Sequence, residues 1–302
     1  MSGWQEVIMT TDVGLIYGLV AVGVYLTFRT INFADMTCDG SFVFGSSVCA
    51  TLIQGGASPG IAMLFATIAG GIAGLFTGIL NVYCKISDLL SGIIIAFMLY
   101  SINLKVMGGL PNITLNDLEL SMNSYTILAI VLPLAVLLVY LLFTDFGLAL
   151  RSIGYNQRFS EVMGININSM KFFGLILSNS LIGLGGAMFT QYQGFCDVSQ
   201  GKGTLIAGLA AVIIGEKVFR FKKAGFFILA CIAGSILYRF FIMIALHSDF
   251  MKIETQDLNL VAGVIIIVMM LVRKERPLKQ SGDALAMPKN LLFTKQKEEW
   301  RC

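Results

Sequence analysis

Apolar runs of about 17 to 25 residues recur along the whole chain, each long enough to cross the roughly 30 Å hydrocarbon layer of a bilayer. In that layer backbone N–H and C=O groups have no water to pair with, so only helices and closed barrels can span it. Barrel strands would show about ten residues of alternating polarity, and these runs do not alternate. The chain therefore reads as an all-α polytopic membrane protein. Its charge content agrees, because 13% of the 302 residues are charged, where a soluble domain carries roughly a quarter. Met1 to Thr11 lacks a basic leader and no small-residue cleavage site follows the first run, which is expected to remain as a helix. The six cysteines (Cys38, Cys49, Cys84, Cys196, Cys231, Cys302) show no CxxC or metal-ligand spacing and read mostly as small hydrophobes, with no metal site among them.

Run length set against breakers gives nine candidate crossings, at about 12–28, 41–54, 59–83, 88–107, 124–143, 170–190, 203–216, 224–246 and 257–272. The second and seventh are short for a bilayer, and each follows a polar, glycine-containing linker. Lysine and arginine set the orientation, since they accumulate on the cytoplasmic side. Arg29, Lys85, Arg151, Arg158, Lys171, Lys217, Arg220, Lys222, Lys223 and the Arg273–Lys279 cluster fall on one side when crossings alternate. Lys105, Lys202 and Lys252 fall on the other, beside Asp117, Glu119, Asp249, Glu254 and Asp257. The expectation is an N-terminus outside and a C-terminus inside, a transmembrane part over 1–273 and a polar cytoplasmic tail over 274–302.

Two polar linkers resemble each other. Asn32-Phe33-Ala34-Asp35-Met36-Thr37-Cys38-Asp39-Gly40-Ser41 follows the first run, and Gly194-Phe195-Cys196-Asp197-Val198-Ser199-Gln200-Gly201-Lys202-Gly203-Thr204 follows the sixth. Both read Phe-x-Asp, an apolar residue, a hydroxyl residue, then glycine and a short apolar helix. The alternation places them on opposite sides. Inverted repeats (here about 12–107 and 170–272) with broken helices meeting near the midplane are a transporter architecture. The plain alternative is a pair of loops in which Asp39 or Ser41, and Thr204, cap the next helix. Glycine clusters at Gly70-Gly71-Gly74, Gly183-Gly185-Gly186 and Gly208 imply closely packed helices.

The loop at 144–169 contains Leu150-Arg151-Ser152-Ile153-Gly154-Tyr155-Asn156 and then Glu161-Val162-Met163-Gly164-Ile165-Asn166. It reads as a short amphipathic helix on the membrane face, closed by Gly164, that presents Asn156, Arg158 and Glu161 to a soluble partner. At these residues the chain resembles the ABC importer permeases of the branched-chain amino acid and ribose type. The likeness extends to Ile31-Asn32-Phe33-Ala34-Asp35 and to nearly the whole membrane part, about 12 to 272. It is greatest to the tryptophan/tyrosine (aromatic amino acid) permease subgroup, through Tyr25-Leu26-Thr27-Phe28-Arg29, Gln191-Tyr192-Gln193-Gly194-Phe195 and Gly208 to Glu216.

The resemblance implies a permease subunit in a bacterial inner membrane, not an enzyme, with no cofactor of its own and with ATP used by partner ATPase subunits. It further implies an extracytoplasmic solute-binding protein, a second permease subunit as in a homodimer, and no nucleic-acid partner. It implies an ATPase-coupling role for Arg151, Gly154, Asn156, Glu161, Gly164 and Ile165. The chain contains no Gly-x-x-x-x-Gly-Lys-(Ser/Thr) phosphate loop, which agrees. The solute is expected to be small, an amino acid and by subgroup likeness an aromatic one.

Pathway candidates are Phe33, Asp35, Asp39, Ser41, Asn179, Gln191, Gln193, Phe195, Asp197 and Arg239. Phe33 and Phe195 hold equivalent repeat positions that suit apolar gates, with plain packing as the alternative. Arg239 is the strongly basic residue well inside a run, where charge is expensive. It is open between pairing with Asp197 or Asp257, snorkelling outward, and meeting a carboxylate in transit. A rival reading, an ion-coupled secondary transporter, would need carboxylates buried at mid-membrane. The acids here read as lying near run ends, and a membrane enzyme is disfavoured by the lack of a nucleophile–base pair or carboxylate pair.

Overall fold

The structure, a computed structural model, describes residues 3–115, 122–219 and 224–246, together with residues 263, 264 and 267. The ninth run apart from those three residues, the tail at 274–302, Asp117, Glu119, Arg220, Lys222, Lys223, His247, Asp249, Lys252, Glu254 and Asp257 lie outside the described residues. The chain divides into two units, and every element from Gly3 to Leu246 belongs to the one that ends at Ile266. In the unit from Ile267 to Cys302, only Ile267, which is helical, is described.

Helix α1 (Gly3–Val24) runs without a break into a π-helical turn, Tyr25–Thr30. Then come α2 (Cys38–Gln54), α3 (Pro59–Val82), α4 (Asp88–Val106), strand β1 (Asn112–Thr114) and α5 (Ser124–Phe143). Two loop helices, α6 (Asp145–Tyr155) and α7 (Gln157–Val162), lead to α8 (Ile167–Gln193), β2 (Phe195–Asp197), α9 (Thr204–Val218) and α10 (Phe227–Leu246). Among the described residues, six segments are long and apolar enough to cross a membrane: Trp4–Thr30, α3, α4, α5, α8 and Phe227–Ala245. Helices α2 and α9 have 17 and 15 residues, about 25 and 22 Å at 1.5 Å per residue, short of the bilayer core.

Local chemistry sets several boundaries. Pro59 opens α3 at its first turn, where its missing N–H has no partner to lose. Pro133 sits inside α5, a position lipid-embedded helices tolerate when neighbours re-satisfy the freed carbonyl. Helix α8 ends on Gly194 in the left-handed conformation. The first helix begins at Gly3 rather than at 12, so Asp12 lies within the crossing instead of at its edge. The all-α expectation also needs one amendment: β1 and β2 form a two-stranded antiparallel ribbon with Ile113 opposite Cys196. It joins the segment after α4 to the segment after α8, and both central residues are buried.

Water cannot drive lipid-embedded helices together by the hydrophobic effect, so packing depends on close backbone approach. The glycines clustered in the sequence are the ones that meet. A Cβ on Gly70 would overlap the Asn179 carbonyl oxygen, one on Gly74 the Leu175 carbonyl, and one on Gly45 the Gly183 backbone. This seam of α2, α3 and α8 brings backbone directly against backbone. Away from it, Phe97, Leu132, Val136 and Tyr140 stand exposed on α4 and α5, as lipid-facing side chains do.

Candidate functional site

The short helices α2 and α9 are joined at their first turns. Asp39, in the first turn of α2, accepts hydrogen bonds from the backbone N–H of Leu205 (2.8 Å to Oδ1) and of Gly203 (3.3 Å to Oδ2). Those N–H groups belong to the start of α9, whose N-cap is Gly203 with φ +85°. The four leading N–H groups of a helix have no partner within it and carry its positive end. Asp39 therefore caps a different helix from its own. The capping role expected of Asp39 is present, but it acts across the molecule, and neither Ser41 nor Thr204 caps its own helix. The fit is close, since a Cβ on Gly201 would overlap the Asp39 carbonyl oxygen.

Behind this junction lies a buried polar network. Asp35 is fully buried, and its carboxylate accepts from Thr37 N–H (2.8 Å) and from Asn179 Nδ2 (2.8 Å). Ser41 Oγ donates to Asn179 Oδ1 at 2.7 Å, and Asn179 Nδ2 also reaches the Leu175 carbonyl at 3.0 Å. The hydroxyls of Thr37 and Thr77 share a hydrogen bond of 2.7 Å. The linker before α2 is thus fastened to α8 by Asn179 and to α3 by Thr77. Removing one partner leaves a buried polar group without its bond, at about 1–3 kcal/mol. Asn179→Ala, which removes one donor to the carboxylate and the acceptor for Ser41, is expected to cost about 3 kcal/mol. A lowered unfolding midpoint of the solubilised chain reads this, and an unchanged midpoint would show the network to be energetically idle.

The remaining pathway candidates do not all gather here. Phe33 is 1% exposed and packed in the core, whereas Phe195 is 37% exposed on β2, so the two are not a matched pair of gates. Asp197 holds a local turn through the Ser199 N–H and hydroxyl and does not pair with Arg239. Gln191 is buried and donates to Cys49 Sγ (3.2 Å) and the Pro59 carbonyl (3.1 Å), while Gln193 is exposed. Arg239 lies against the ring of Tyr17, with its Cζ 3.8 Å from the centroid.

One buried acid is not among the candidates the sequence suggests. Asp12 is 5% exposed and accepts from Ser124 Oγ (2.7 Å) and Tyr192 OH (3.5 Å), tying α1 to α5 and α8. The signal was available, because a carboxylate inside an apolar run is a functional candidate by default. Placing the start of the run at 12 turned it into a flank. Asp12 and Asp35 are both buried in the bundle, Asp12 within the first crossing and Asp35 in the linker that follows it.

The loop between α5 and α8 forms two helices rather than one. Thr144 accepts from Gly147 N–H and Asn156 from Phe159 N–H (3.1 Å), each the N-cap of its helix. Arg151 turns back on α5, its Nη2 donating to the Leu142 carbonyl (3.1 Å), so it caps the end of that helix. Gly154 also faces inward, where a Cβ would overlap the Thr30 carbonyl oxygen and approach Asn32 N. Outward the loop shows Tyr155, Asn156, Arg158, Phe159, Glu161, Val162 and Met163, all exposed. Gly164 adopts φ +80° with open space around its α-carbon, and Ile165 N–H reaches back to the Ser160 carbonyl (3.0 Å). A side chain there has room but the wrong backbone. Gly164→Ala is expected to destabilise the end of α7 by about 1 kcal/mol, visible as faster protease cleavage of the loop; unchanged cleavage would contradict it. On the same side, Arg29 at the end of the π turn makes a forked pair with Glu216 near the end of α9 (2.8 and 3.2 Å).

Comparison with known proteins bears on this arrangement. A family model for the permease component of branched-chain amino acid transport systems matches residues 7–272. A tyrosine transport system permease protein of Clostridioides difficile is 42% identical over 275 residues, 88% of this chain and 90% of its own. An uncharacterised protein of Rickettsia prowazekii is 31% identical over 258 residues, 82% of this chain and 90% of its own. An autoinducer 2 import system permease protein of Yersinia pestis is 25% identical over 214 residues, 65% of this chain and 58% of its own. No solved structure matches. The matched span takes in both short helices, the Asp35 network and the loop. The chain therefore belongs to the branched-chain amino acid transport permease family, as the multi-pass permease component of an ABC-type transporter in the bacterial inner membrane.

Proposed function

We propose that this permease forms, with a second copy of itself, an import pathway for a small amino acid, with an aromatic one such as tyrosine as the leading candidate. Cytoplasmic ATPase subunits drive it through the α6–α7 loop, and an extracytoplasmic binding protein delivers the solute. The tyrosine solute is carried by the Clostridioides relative.

The single observation that carries the mechanism is the seat of Gly154 on Thr30 and Asn32. The exposed apolar knob of Tyr155, Phe159, Val162 and Met163 is a docking surface for a soluble partner, and its inner side rests on the linker that leads to α2. A displacement of the loop then moves Thr30–Asn32, next the Asp35–Asn179–Ser41 network, and last the Asp39 cap on α9. Force applied in the cytoplasm reaches the middle of the bundle through packed backbone.

Three links support inverted broken helices, and the lysine and arginine distribution is what puts the N-terminus outside. The Arg29–Glu216 pair sets the end of α1 level with the end of α9. Thr204 lies twelve residues before Glu216, about 18 Å along the helix, so the Asp39 junction falls near mid-membrane. Helices α2 and α9 leave that junction from their first turns. The β1–β2 ribbon puts the ends of α4 and α8 on one side, as alternation of crossings requires once α2 counts as a crossing.

The test is copurification. The full chain extracted from its native membrane should bring a P-loop ATPase whose hydrolysis rises with the cognate binding protein, and Phe159→Asp with Val162→Asp should abolish that capture. Recovery of the permease with no ATPase would sink the proposal.

A further inference from the structure

The mechanism above leaves two ionisable side chains inside the bundle unused, Asp12 and Arg239, and Arg239 is the cation of the two. It sits in α10, where a charge in the hydrocarbon layer costs at least about 2.5 kcal/mol. Its guanidinium lies on the Tyr17 ring, and its Nε is buried with no hydrogen-bond partner. No carboxylate of the described residues pairs with it. A ring face offsets part of a cation's desolvation, but it leaves Nε–H, which lies in the guanidinium plane, without an acceptor.

Arg239 lines a largely open groove of about 350 Å3 between the start of α1 and the end of α10. Met9, Val13, Ile242 and Met243 supply its apolar wall, with Glu6 and Thr10 as its other polar residues. Thr10 Oγ1 bridges the two helices, donating to Glu6 O (2.8 Å) within α1 and lying 3.2 Å from Met243 Sδ. An adaptable thioether lining beside one planar cation suits a small solute with an apolar body and a single carboxylate.

The position also connects to the junction. Tyr17 packs edge-on against Phe189 of α8 at 5.4 Å and, with its ring tilted, against Phe42 of α2 at 5.7 Å. Phe42 lies one turn beyond Asp39. An anion that draws the guanidinium off the Tyr17 face therefore disturbs the aromatic trio that packs the first short helix.

We infer that Arg239 is the carboxylate-recognition residue of the pathway, so that the transported solutes are α-amino acids or similar monocarboxylates. This rests on the import reading, with the groove opening on the outer side. The assembled importer in proteoliposomes, with its ATPase and binding protein, is measured for uptake of radiolabelled L-tyrosine and L-leucine, with tyramine and isoamylamine as competitors that lack the carboxylate. Arg239→Gln is expected to lower uptake at least about tenfold with ATPase copurification unchanged, Arg239→Lys to recover most of it, and the amines not to compete. Uptake by Arg239→Gln within twofold of the unsubstituted chain would overturn the inference, as would amines that compete as well as the acids. A defect confined to vesicles with anionic phosphatidylglycerol and absent in phosphatidylcholine would assign Arg239 to a lipid headgroup and equally overturn it. Loss of the ATPase from the unsubstituted chain would instead count against the import reading itself.

Discussion

An Asp39→Lys permease is expected to insert in the membrane and retain its ATPase, yet to import at no more than about a hundredth of the normal rate. The carboxylate accepts two N–H bonds at the start of α9, and bonds to charged groups are worth about 1.5–3 kcal/mol each. Lysine removes both and sets a positive charge against the positive end of a helix, a reversal of about 0.5–2 kcal/mol. The total exceeds the few kcal/mol that separate the working conformations of a typical two-state protein, so the competent population collapses. Asp39→Asn keeps one acceptor oxygen and should lose about tenfold or less. Uptake assays on the pair decide the matter: similar rates for both variants would remove the cap from the mechanism.

Gly154→Val should produce the second large effect, of a different kind. Its Cβ would overlap the Thr30 carbonyl, and backbone cannot move aside as a side chain tip can. The α6–α7 loop must then lift off the linker to α2. Because Gly154 faces inward while the docking knob faces outward, the ATPase should still bind, but its hydrolysis should stop responding to the binding protein and import should fall to background. The sequence alone suggests something coarser, namely that a bulky residue at Gly154 or Gly164 blocks docking. Gly164 has open space around it and a left-handed backbone, so substitution there loosens the loop only locally. A Gly154→Val complex with normal stimulated hydrolysis would show that the contact carries no force.

The legible parts of the fold were those governed by length and composition. Apart from the first, runs of apolar residues gave the long helices to within a few residues, and clustered glycines pointed to closely packed helices, because lipid removes most alternatives. The likeness of the linkers at Asp35 and Asp197 picked out the region that holds the junction. It also misled, since the second linker carries a strand: Phe195 and Asp197 pair with Thr114 and Asn112 across a ribbon that no local propensity in three residues announces. Partners across sequence were the invisible part. Nothing in the residues around Asp39 tells that its carboxylate caps a helix more than 160 positions later, or that Arg151 folds back on α5 while Phe159 and Val162 face outward. Asp12 is hidden for a simpler reason: the apolar run reads as beginning at 12, nine residues after the helix starts.

On the proposed mechanism the two linkers enter the bundle from opposite faces and meet at Asp39. Asn32 and Ser199 are both exposed, one in each linker. Single cysteines placed at these positions in a chain freed of its own cysteines, labelled with a membrane-impermeant maleimide, test that arrangement directly. Asn32→Cys should react only in inverted vesicles and Ser199→Cys only in right-side-out spheroplasts; labelling of both from the same side would contradict the inverted arrangement.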